Sequence, residues 1–267
     1  KPESSMHVGM NLVKNGQADA FVTMGNTGVA HAIAMLFTLK RIPGIKRPAL
    51  SAIFPILGKP VIFLDIGANA DCKPDWMLQF ALMGAVYARN ALGLDNPRVA
   101  LLSNGEEEGK GSQLILDSTA LLRQAPINFI GNVEPKEIFR TLPVDVVIHD
   151  GFTGNILTKT FEASTRYLAM LIRDEIKTSP VSMLGGLLIT SAMRRVRRKI
   201  DTFEVGGAPL LGVKGVVIIG HGSSNAFAVK NAVRQACKAV EGGIISAIER
   251  KLGEIPVANS VDNLVSE

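Results

Sequence analysis

Five short apolar runs of this chain are each followed by a loop rich in Gly, Asn, Asp, Lys or His. Glycines expose the backbone N–H groups of such loops, and where a helix follows, its dipole also favours an anion. Three of the loops lead into helical sequence patterns, which points to a ligand that carries a phosphate. The loops cover residues 25–28, 65–73, 103–111, 149–155 and 220–224.

The side chains near these loops offer acid–base and anion-binding chemistry. His221 stands among glycines and serines, which makes it a candidate general acid or base. Three lysines could hold a phosphate as point charges: Lys73, Lys110 and Lys159. Three aspartates either bind a metal ion together or cap turns and orient lysines, and the capping role is favoured. They are Asp65, Asp71 and Asp150.

The named phosphate and hydrolase motifs fail on inspection. Residues 105–111 resemble a P-loop, but one residue is missing between the glycines, and a glycine follows the lysine where Ser or Thr is required. Residues 109–114 lack the last glycine of the dinucleotide fingerprint. His221 and Ser223 are not part of a G-x-S-x-G nucleophile elbow. The sequence therefore supports neither nucleotide binding nor serine hydrolysis, and we predict no metal and no cofactor.

The elements that position these loops follow from hydrophobic patterning. Short Val- and Ile-rich runs alternate with longer helical patterns, which is typical of a three-layer α/β/α fold with a doubly wound, mostly parallel sheet. Because ligands bind outside the carboxyl ends of such strands, we expect the five loops to share one edge of the sheet. The expected organisation is a single α/β catalytic domain over residues 1–267.

Individual elements can also be predicted. A hairpin at residues 54–60 is expected to form one antiparallel edge of the sheet. Helices are expected over residues 30–39, 74–91, 111–123, 161–176 and 225–250.

Residues 179–200 combine an apolar first half with a basic second half. Ser179 followed by Pro180 predicts the start of a helix. An apolar face opposed by a basic face is typical of a helix that lies in a membrane interface, whereas the competing interpretation is a core helix with solvated arginines. The residues expected to contact a membrane or a protein partner are Leu184, Leu187, Leu188, Arg194, Arg195, Arg197, Arg198 and Lys199.

The net charge of +5 is concentrated in this same segment. Arg194, Arg195, Arg197, Arg198 and Lys199 supply as many positive charges as the whole excess of 29 basic over 24 acidic residues. The basic character is therefore one patch, and no nucleic-acid partner is predicted. The two cysteines lack metal-ligand spacing, which favours a reducing compartment.

Seven motifs, taken in order, resemble those of the bacterial phosphate acyltransferase (PlsX) family. The resemblance extends from Lys1 to the region of Val240, and agreement of so many motifs in order makes it specific. The motifs occupy residues 1–6, 25–28, 65–74, 105–111, 150–155, 206–212 and 221–224.

The resemblance implies transfer of a fatty acyl group from acyl carrier protein to inorganic phosphate, which gives acyl phosphate for phospholipid synthesis. It implies a fold like that of phosphotransacetylases and isopropylmalate-type dehydrogenases. It also implies a cytoplasmic homodimer that associates peripherally with the inner face of the membrane, through the segment that corresponds to residues 179–200. Family members begin with a further segment, which carries a Gly- and Asp-rich loop and which we expect to be missing here.

We predict that phosphate attacks the thioester directly, because neither Cys72 nor any serine has an evident activating base. Lys73 is predicted to bind phosphate, Asn155 and Ser223 to donate to the oxyanion, and His221 to protonate the leaving thiolate or orient phosphate. Asp65, Asn69 and Asp71 are expected to orient the lysines. The residues assigned to substrate and phosphate binding are Asn26, Thr27, Asp65, Asn69, Asp71, Lys110, Asp150 and Lys159.

Other functions stay open at this stage. A related phosphate acyltransferase would prefer short acyl-coenzyme A, and a decarboxylating dehydrogenase would need a nicotinamide cofactor and an acidic metal cluster. A membrane-surface scaffold for lipid enzymes would explain the basic helix but not the five polar loops. Acyl carrier protein is acidic, so it competes with anionic lipid as the partner of the basic segment.

Overall fold

The structure is a computed structural model that describes residues 3–141, 144–200 and 205–254. Its strands are β1 Ala20–Thr23, β2 Ala49–Ile56, β3 Lys59–Leu64, β4 Arg98–Leu102, β5 Asn128–Val133, β6 Val146–Ile148, β7 Ala208–Leu211 and β8 Val216–Ile219. Its helices are α1 Ser5–Lys14, α2 Thr27–Ala32, α3 Pro74–Leu92, α4 Gln113–Leu122, α5 Pro135–Arg140, α6 Gly151–Ile176, α7 Pro180–Ile200, α8 Ala226–Glu241 and α9 Ile244–Gly253. A π-helical turn, Ile33–Phe37, continues α2.

The strands form one sheet in the order β1-β8-β7-β2-β3-β6-β4-β5. Parallel pairs join β1 to β8, and join β3, β6, β4 and β5 to one another. Between these groups, β7 and β2 pair antiparallel with each of their neighbours. The predicted α/β class with a mostly parallel sheet is therefore confirmed. The predicted hairpin exists as β2 and β3, turning through Leu57 (φ 48°) and Gly58 (φ 80°), but it lies inside the sheet rather than at its edge.

This antiparallel centre reverses the direction of the second parallel group. Leu64, at the end of β3, pairs with Ser51 near the start of β2, whereas Ile219, at the end of β8, pairs with Ala208 at the start of β7. The five polar loops therefore do not all leave the sheet in one direction, contrary to the expectation of a single shared edge. The loops at residues 65–73, 103–111 and 149–155 leave it in one direction, and those at residues 25–28 and 220–224 leave it in the opposite one. The strand registers nevertheless place the ends of β3 and β8 at nearly the same level, and Ile66 of the loop after β3 packs in the same cluster as Ile219.

Helices cover both faces of the sheet. On one face, α3, α4, α8 and α9 bury their apolar residues against Ile62 and Leu64 of β3 and their neighbours. On the other face, α5 and the start of α6 pack against Val61 and Phe63, the alternate positions of the same strand. α1 and α2 complete that second layer over β8 and the start of β2. The result is the predicted three-layer arrangement.

Two predicted helices differ from the observed ones because of local caps and glycines. α6 begins at Gly151 rather than at residue 161, since Asp150 caps its first turn. The helix predicted over residues 225–250 is divided into α8 and α9. The division falls at Gly243, which adopts a φ of 58° that side-chain-bearing residues rarely take.

α6 and α7 form a helical hairpin whose apolar side chains are largely exposed. The helices approach closely at Gly186, because a Cβ there would lie 2.6 Å from a methyl carbon of Ile176. Leu184, Leu187 and Leu188 are 61%, 73% and 78% exposed. The interpretation of residues 179–200 as a core helix is therefore wrong. No helix in the described part of the chain is both long and apolar enough to cross a membrane.

The basic half of α7 is exposed as well. Arg194, Arg195 and Lys199 are exposed, and the side chains of Arg197 and Arg198 lie outside the described residues. Because Arg195 follows Leu188 by seven residues, the two share one side of the helix. The apolar and basic groups therefore follow each other along α7 rather than occupying opposite faces as predicted.

Candidate active site

The sheet has a crevice between β3 and β6, where neighbouring parallel strands send their helices to opposite faces. β3 leads through residues 65–73 into α3 on one face, and β6 leads through residues 149–150 into α6 on the other. Such a reversal leaves open space outside the carboxyl ends of the two strands, and ligands of α/β proteins bind there. This crevice is the candidate active site.

Asp65 organises the loop that forms one wall of the crevice. Its side chain is fully buried, and its two oxygens accept hydrogen bonds from the backbone N–H groups of Leu50, Gly67, Ala68 and Asn69 at 2.7–3.2 Å. The side-chain amide of Asn69 adds a fifth bond at 2.9 Å. These donors are all loop or strand groups, so Asp65 holds the loop in shape rather than orienting a lysine.

Asn69 and Gly151 join the two walls. The backbone N–H of Gly151 donates to the carbonyl oxygen of Asn69 at 2.8 Å, and the side-chain amide of Asn69 donates to the Pro48 carbonyl at 2.8 Å. A Cβ on Gly151 would approach the Asn69 backbone to 2.5 Å, so only glycine fits at this contact. Asn69 therefore connects the loop after β3 both to α6 and to the segment that enters β2.

The second wall is the first turn of α6. Asp150 caps this helix, because its two oxygens accept from the backbone N–H and the hydroxyl of Thr153, each at 2.8 Å. His149 is buried behind it, and burial lowers the pKa of its imidazole, which stays neutral near pH 7. A side chain at Gly154 would overlap both the His149 ring and the Asp65 carbonyl oxygen, so glycine permits the close approach of the two walls.

Asn155 and Lys73 are the predicted catalytic residues that the structure places at the mouth of this crevice. Asn155 is exposed on α6, and a Cβ built on Gly67 in the opposite loop would lie 3.7–3.9 Å from its side chain. Lys73 is exposed at the N-cap of α3. Neither side chain has a hydrogen-bond or ion-pair partner among the described residues. Both are therefore available to a ligand.

Cys72 also lies in this loop, but it is a poor nucleophile. Burial, with smaller contributions from the charges of Asp65, Asp150 and Asp71, raises the pKa of its thiol to about 12. The thiol is therefore protonated at neutral pH, and only the thiolate attacks a thioester. This chemistry agrees with direct attack by phosphate, without an acyl-enzyme on Cys72.

The three aspartates do not form a metal site. Both oxygens of Asp65 and of Asp150 already accept hydrogen bonds from N–H or hydroxyl groups, and Asp71 is exposed. In the part of the chain that the structure describes, no group of three or more His, Cys, Asp or Glu is arranged to hold a metal ion. Capping and loop organisation account for Asp65 and Asp150.

The remaining predicted phosphate ligands lie apart from the crevice walls. Lys159, on the third turn of α6, pairs with Glu162 at 3.3 Å. Lys110 is exposed in the loop after β4, and its carbonyl oxygen accepts from the Asn132 side chain at 3.2 Å. In the loop after β1, the Asn26 side chain caps α2 by accepting from the backbone N–H of Val29 at 3.0 Å, and Thr27 is exposed beside it. The helix that follows packs in the same cluster as Ile66 and Ala68 of the loop after β3.

His221 and Ser223 form a pair in the loop after β8. The Ser223 hydroxyl lies 2.7 Å from His221 Nδ1, and the Ser223 backbone N–H donates to the same nitrogen at 3.2 Å. Because a backbone N–H can only donate, Nδ1 acts as an acceptor and the ring proton sits on Nε2. No hydrogen bond between described residues joins this pair to the loops after β3 and β6.

The sequence analysis missed Arg47 and Trp76, which lie beside the crevice. The Arg47 guanidinium stands over the Trp76 ring, 4.9 Å from its centroid. Neither residue belongs to a recognisable loop motif, since Arg47 precedes β2 and Trp76 falls in the first turn of α3. The nearest sequence signal was the Lys-Arg-Pro run at residues 46–48, which resembles an ordinary polar turn.

Comparison with known proteins assigns the chain to a family. A model of a fatty acid synthesis protein family matches residues 1–247. A phosphate acyltransferase of Geotalea uraniireducens (strain Rf4) is 47% identical over 254 residues, covering 95% of this chain and 73% of that protein. Another, from Heliobacterium modesticaldum (strain ATCC 51547 / Ice1), is 48% identical over 252 residues, covering 94% and 75%. The chain belongs to the phosphate acyltransferase family. The resemblance found in the seven motifs is therefore confirmed, and a phosphate acyltransferase moves an acyl group to phosphate.

Solved structures agree with this phosphate acyltransferase fold. A branched-chain phosphotransacylase from Enterococcus faecalis V583 superposes with a TM-score of 0.56 at 16% identity, covering 88% of this chain and 78% of that one. A phosphotransacetylase from Streptococcus pyogenes gives a TM-score of 0.53 at 19% identity, covering 91% and 67%. At such low identity these likenesses establish the fold alone, and they confirm the predicted phosphotransacetylase-like architecture.

Proposed function

We propose that this phosphate acyltransferase takes a long-chain acyl group from acyl carrier protein and transfers it to inorganic phosphate, forming acyl phosphate for phospholipid synthesis. The observation that carries the proposal is the crevice between β3 and β6, where the free side chains of Lys73 and Asn155 meet a rigid loop held by Asp65. The names of the relatives support phosphate as acceptor.

The chemistry assigned to this site is a direct displacement. An oxygen of phosphate attacks the carbonyl carbon of the thioester, the C–S bond breaks, and the thiolate takes a proton, leaving acyl phosphate and a free thiol. The protein holds the two reactants within about 3–3.5 Å and stabilises the tetrahedral oxyanion. In our assignment Lys73, Lys110 and the backbone N–H groups near Asn26 and Thr27 bind phosphate. Asn155 donates to the oxyanion.

His221 and Ser223 complete the assignment. The Nε2–H of His221 suits it to donate a hydrogen bond that orients phosphate, and Ser223 holds the ring in that tautomer through the contacts to Nδ1. A neutral imidazole is too weak an acid to protonate a thiolate, so we assign the proton of the leaving thiol to solvent. The loop that carries the pair follows β8, whose end lies at nearly the same level of the sheet as the end of β3.

An exposed apolar stripe along α6 supports a long acyl chain. Phe152 and Ile156 near the start of α6, and Tyr167 and Met170 farther along it, lie on one side of the helix and are 63%, 51%, 59% and 43% exposed. Between them the same side carries Ala163 and the methylene stem of Lys159, whose ammonium pairs with Glu162. The stripe begins one turn from Asn155 and extends over about 27 Å of helix. A hydrocarbon chain leaving the crevice along this side would cover apolar surface that otherwise faces water.

The experiment that tests the proposal measures free carrier-protein thiol released from a long-chain acyl carrier protein, with and without inorganic phosphate. We expect release only with phosphate, together with acyl phosphate in equal amount. Faster reaction with short acyl-coenzyme A would instead favour the short-chain alternative. Thioester cleavage by a longer relative used as a positive control, but not by this chain, would favour the scaffold. Light scattering of the same sample tests the proposed homodimer.

We also propose that the α6–α7 hairpin binds the surface of an anionic membrane. Its support is twofold: the exposed leucines of α7 offer apolar surface, and the exposed Arg194, Arg195 and Lys199 that follow them along the helix attract anionic headgroups. Charge removal at Arg194, Arg195 and Lys199 is expected to reduce binding to liposomes that contain anionic lipid by roughly 100-fold, at about 1 kcal/mol per charge.

A matched variant separates this lipid contact from other effects. Replacing Lys14, Arg89 and Lys214, which are spread over the rest of the surface, removes the same net charge. If both triple variants lose the same liposome affinity, binding depends on net charge and not on α7. If the α7 variant keeps its liposome affinity but shows a raised KM for acyl carrier protein, the basic half docks the carrier protein instead.

A further inference from the structure

Arg47 reaches the candidate crevice through the segment that enters β2. The Pro48 carbonyl beside it accepts a hydrogen bond from the Asn69 side chain at 2.8 Å, and the Leu50 N–H donates to Asp65 at 3.0 Å. β2 is antiparallel to β3, so the start of β2 lies at the edge where β3 ends. Arg47 therefore stands beside the loop at residues 65–69, on the side away from α6.

Trp76 fixes the position of the Arg47 guanidinium. The ring belongs to the first turn of α3, three residues after Lys73 at the helix N-cap, and it packs partly into the main core. The guanidinium carbon of Arg47 lies 4.9 Å from the ring centroid, a distance typical of cation–π stacking. Stacking on the ring face holds the plane of the guanidinium and leaves its N–H edge free to donate.

The charge of Arg47 is not neutralised by a carboxylate. The adjacent Lys46 pairs with Asp75 at 2.6 Å, which removes the closest acidic group of α3. Among residues 3–141, 144–200 and 205–254, no carboxylate forms an ion pair with Arg47. Its positive charge also acts on His31 of α2, which lies near Asp65. Burial is the main cause that lowers the pKa of His31, the charge of Asp65 opposes this, and Arg47 lowers the pKa further.

We propose that Arg47 is the principal phosphate-binding residue of this site, with Trp76 holding its guanidinium in place. A guanidinium offers two parallel N–H donors that match two phosphate oxygens, which a lysine ammonium cannot do. Arg47 and Lys73, the residue at the N-cap of α3, together supply two positive charges for the phosphate dianion. The inference rests on the proposed acyl transfer to phosphate, since it names the group that holds the acceptor.

The test is phosphate binding by calorimetry, combined with the KM for phosphate in the thiol-release assay. Arg47→Ala is expected to weaken phosphate binding and raise the KM by roughly 10–100-fold, while Arg47→Lys recovers only part of the loss. Trp76→Leu, which leaves the charge unchanged, is expected to raise the KM for phosphate several-fold by releasing the guanidinium. The matched control is Arg89→Ala, because Arg89, near the C-terminal end of α3, is also exposed and also forms no ion pair among the described residues.

The outcomes separate this inference from the proposed function. Normal phosphate affinity in Arg47→Ala overturns the inference, as does an equal loss in Arg89→Ala. If the wild-type chain binds phosphate through Arg47 but releases no carrier-protein thiol, the assignment of Arg47 stands and the proposed acyl donor is wrong. Thermal unfolding of each variant without phosphate shows whether a loss of phosphate affinity reflects unfolding of the protein. If Arg47→Ala or Trp76→Leu is unfolded, the phosphate affinity of Arg47→Lys decides whether Arg47 binds phosphate.

Discussion

Asp65→Ala is expected to lower the free energy of unfolding by about 3–5 kcal/mol and to abolish turnover. The carboxylate is fully buried and accepts five hydrogen bonds, four from backbone N–H groups and one from Asn69. Alanine would leave these donors in a space that water does not reach, where each unsatisfied group costs about 1–3 kcal/mol. Five such groups would sum to at least about 5 kcal/mol, and local rearrangement of the loop keeps the expected loss at or below that lower limit.

Chemical denaturation followed by circular dichroism measures this loss. Asp71→Ala is the matched control, because Asp71 belongs to the same loop, is exposed and accepts no hydrogen bond from described residues. We expect it to change stability by less than about 0.5 kcal/mol. Equal stability losses in the two variants would show that the buried network around Asp65 does not organise the loop.

The second large effect is expected in catalysis rather than in stability. Asn155→Ala should lower kcat by about 10²–10³-fold, since a preorganised donor to an oxyanion contributes that much to an acyl transfer. The KM for phosphate should change little, because the proposed hydrogen bond forms only in the transition state. Asn155 is exposed and its side chain has no partner among the described residues, so its removal should not destabilise the fold.

Steady-state kinetics and thermal unfolding together test this role. Alanine has a higher helix propensity than asparagine, so the variant should be as stable as the wild type or slightly more stable. Thr160→Ala provides the control, because Thr160 is an exposed residue of α6 more than one turn beyond Asn155. A kcat within a factor of three of wild type, or a loss found only in KM, would contradict an oxyanion role.

Much of the architecture was predictable from local patterns. The alternation of Val- and Ile-rich runs with helical periods predicted the strands, most helices and the three-layer class. Ser179 and Pro180 predicted the start of α7, and the Ser179 hydroxyl does accept from the N–H of Ser182 at 3.0 Å. Caps, turns and apolar periods depend on residues a few positions apart, so the sequence alone carries that information.

The direction of the strands was decided only by tertiary pairing. A parallel and an antiparallel strand have similar apolar patterns, and the pairs β2–β7 and β7–β8 join residues far apart in sequence. Because of those pairs, the loops that carry His221 and Asn26 leave the sheet in the opposite direction from the loops that carry Asn155 and Lys73, which loop composition alone did not indicate. The exposure of side chains was also decided by the tertiary structure. The apolar stretch from Leu184 to Leu188 indicates side chains that avoid water, but it does not indicate whether another part of the fold covers them.

The roles of individual polar residues depended on the same long-range contacts. Asp65 resembled a ligand residue in sequence, yet its donors come from a neighbouring strand and from its own loop, and they convert it into a structural anchor. Arg47 resembled part of an ordinary turn, and only the packing of β2 beside β3 brings it over Trp76 at the crevice. The sequence by itself determined the elements and the chemical groups at their ends. The fold decided which of those groups face one another, because that depends on contacts between residues distant in the chain.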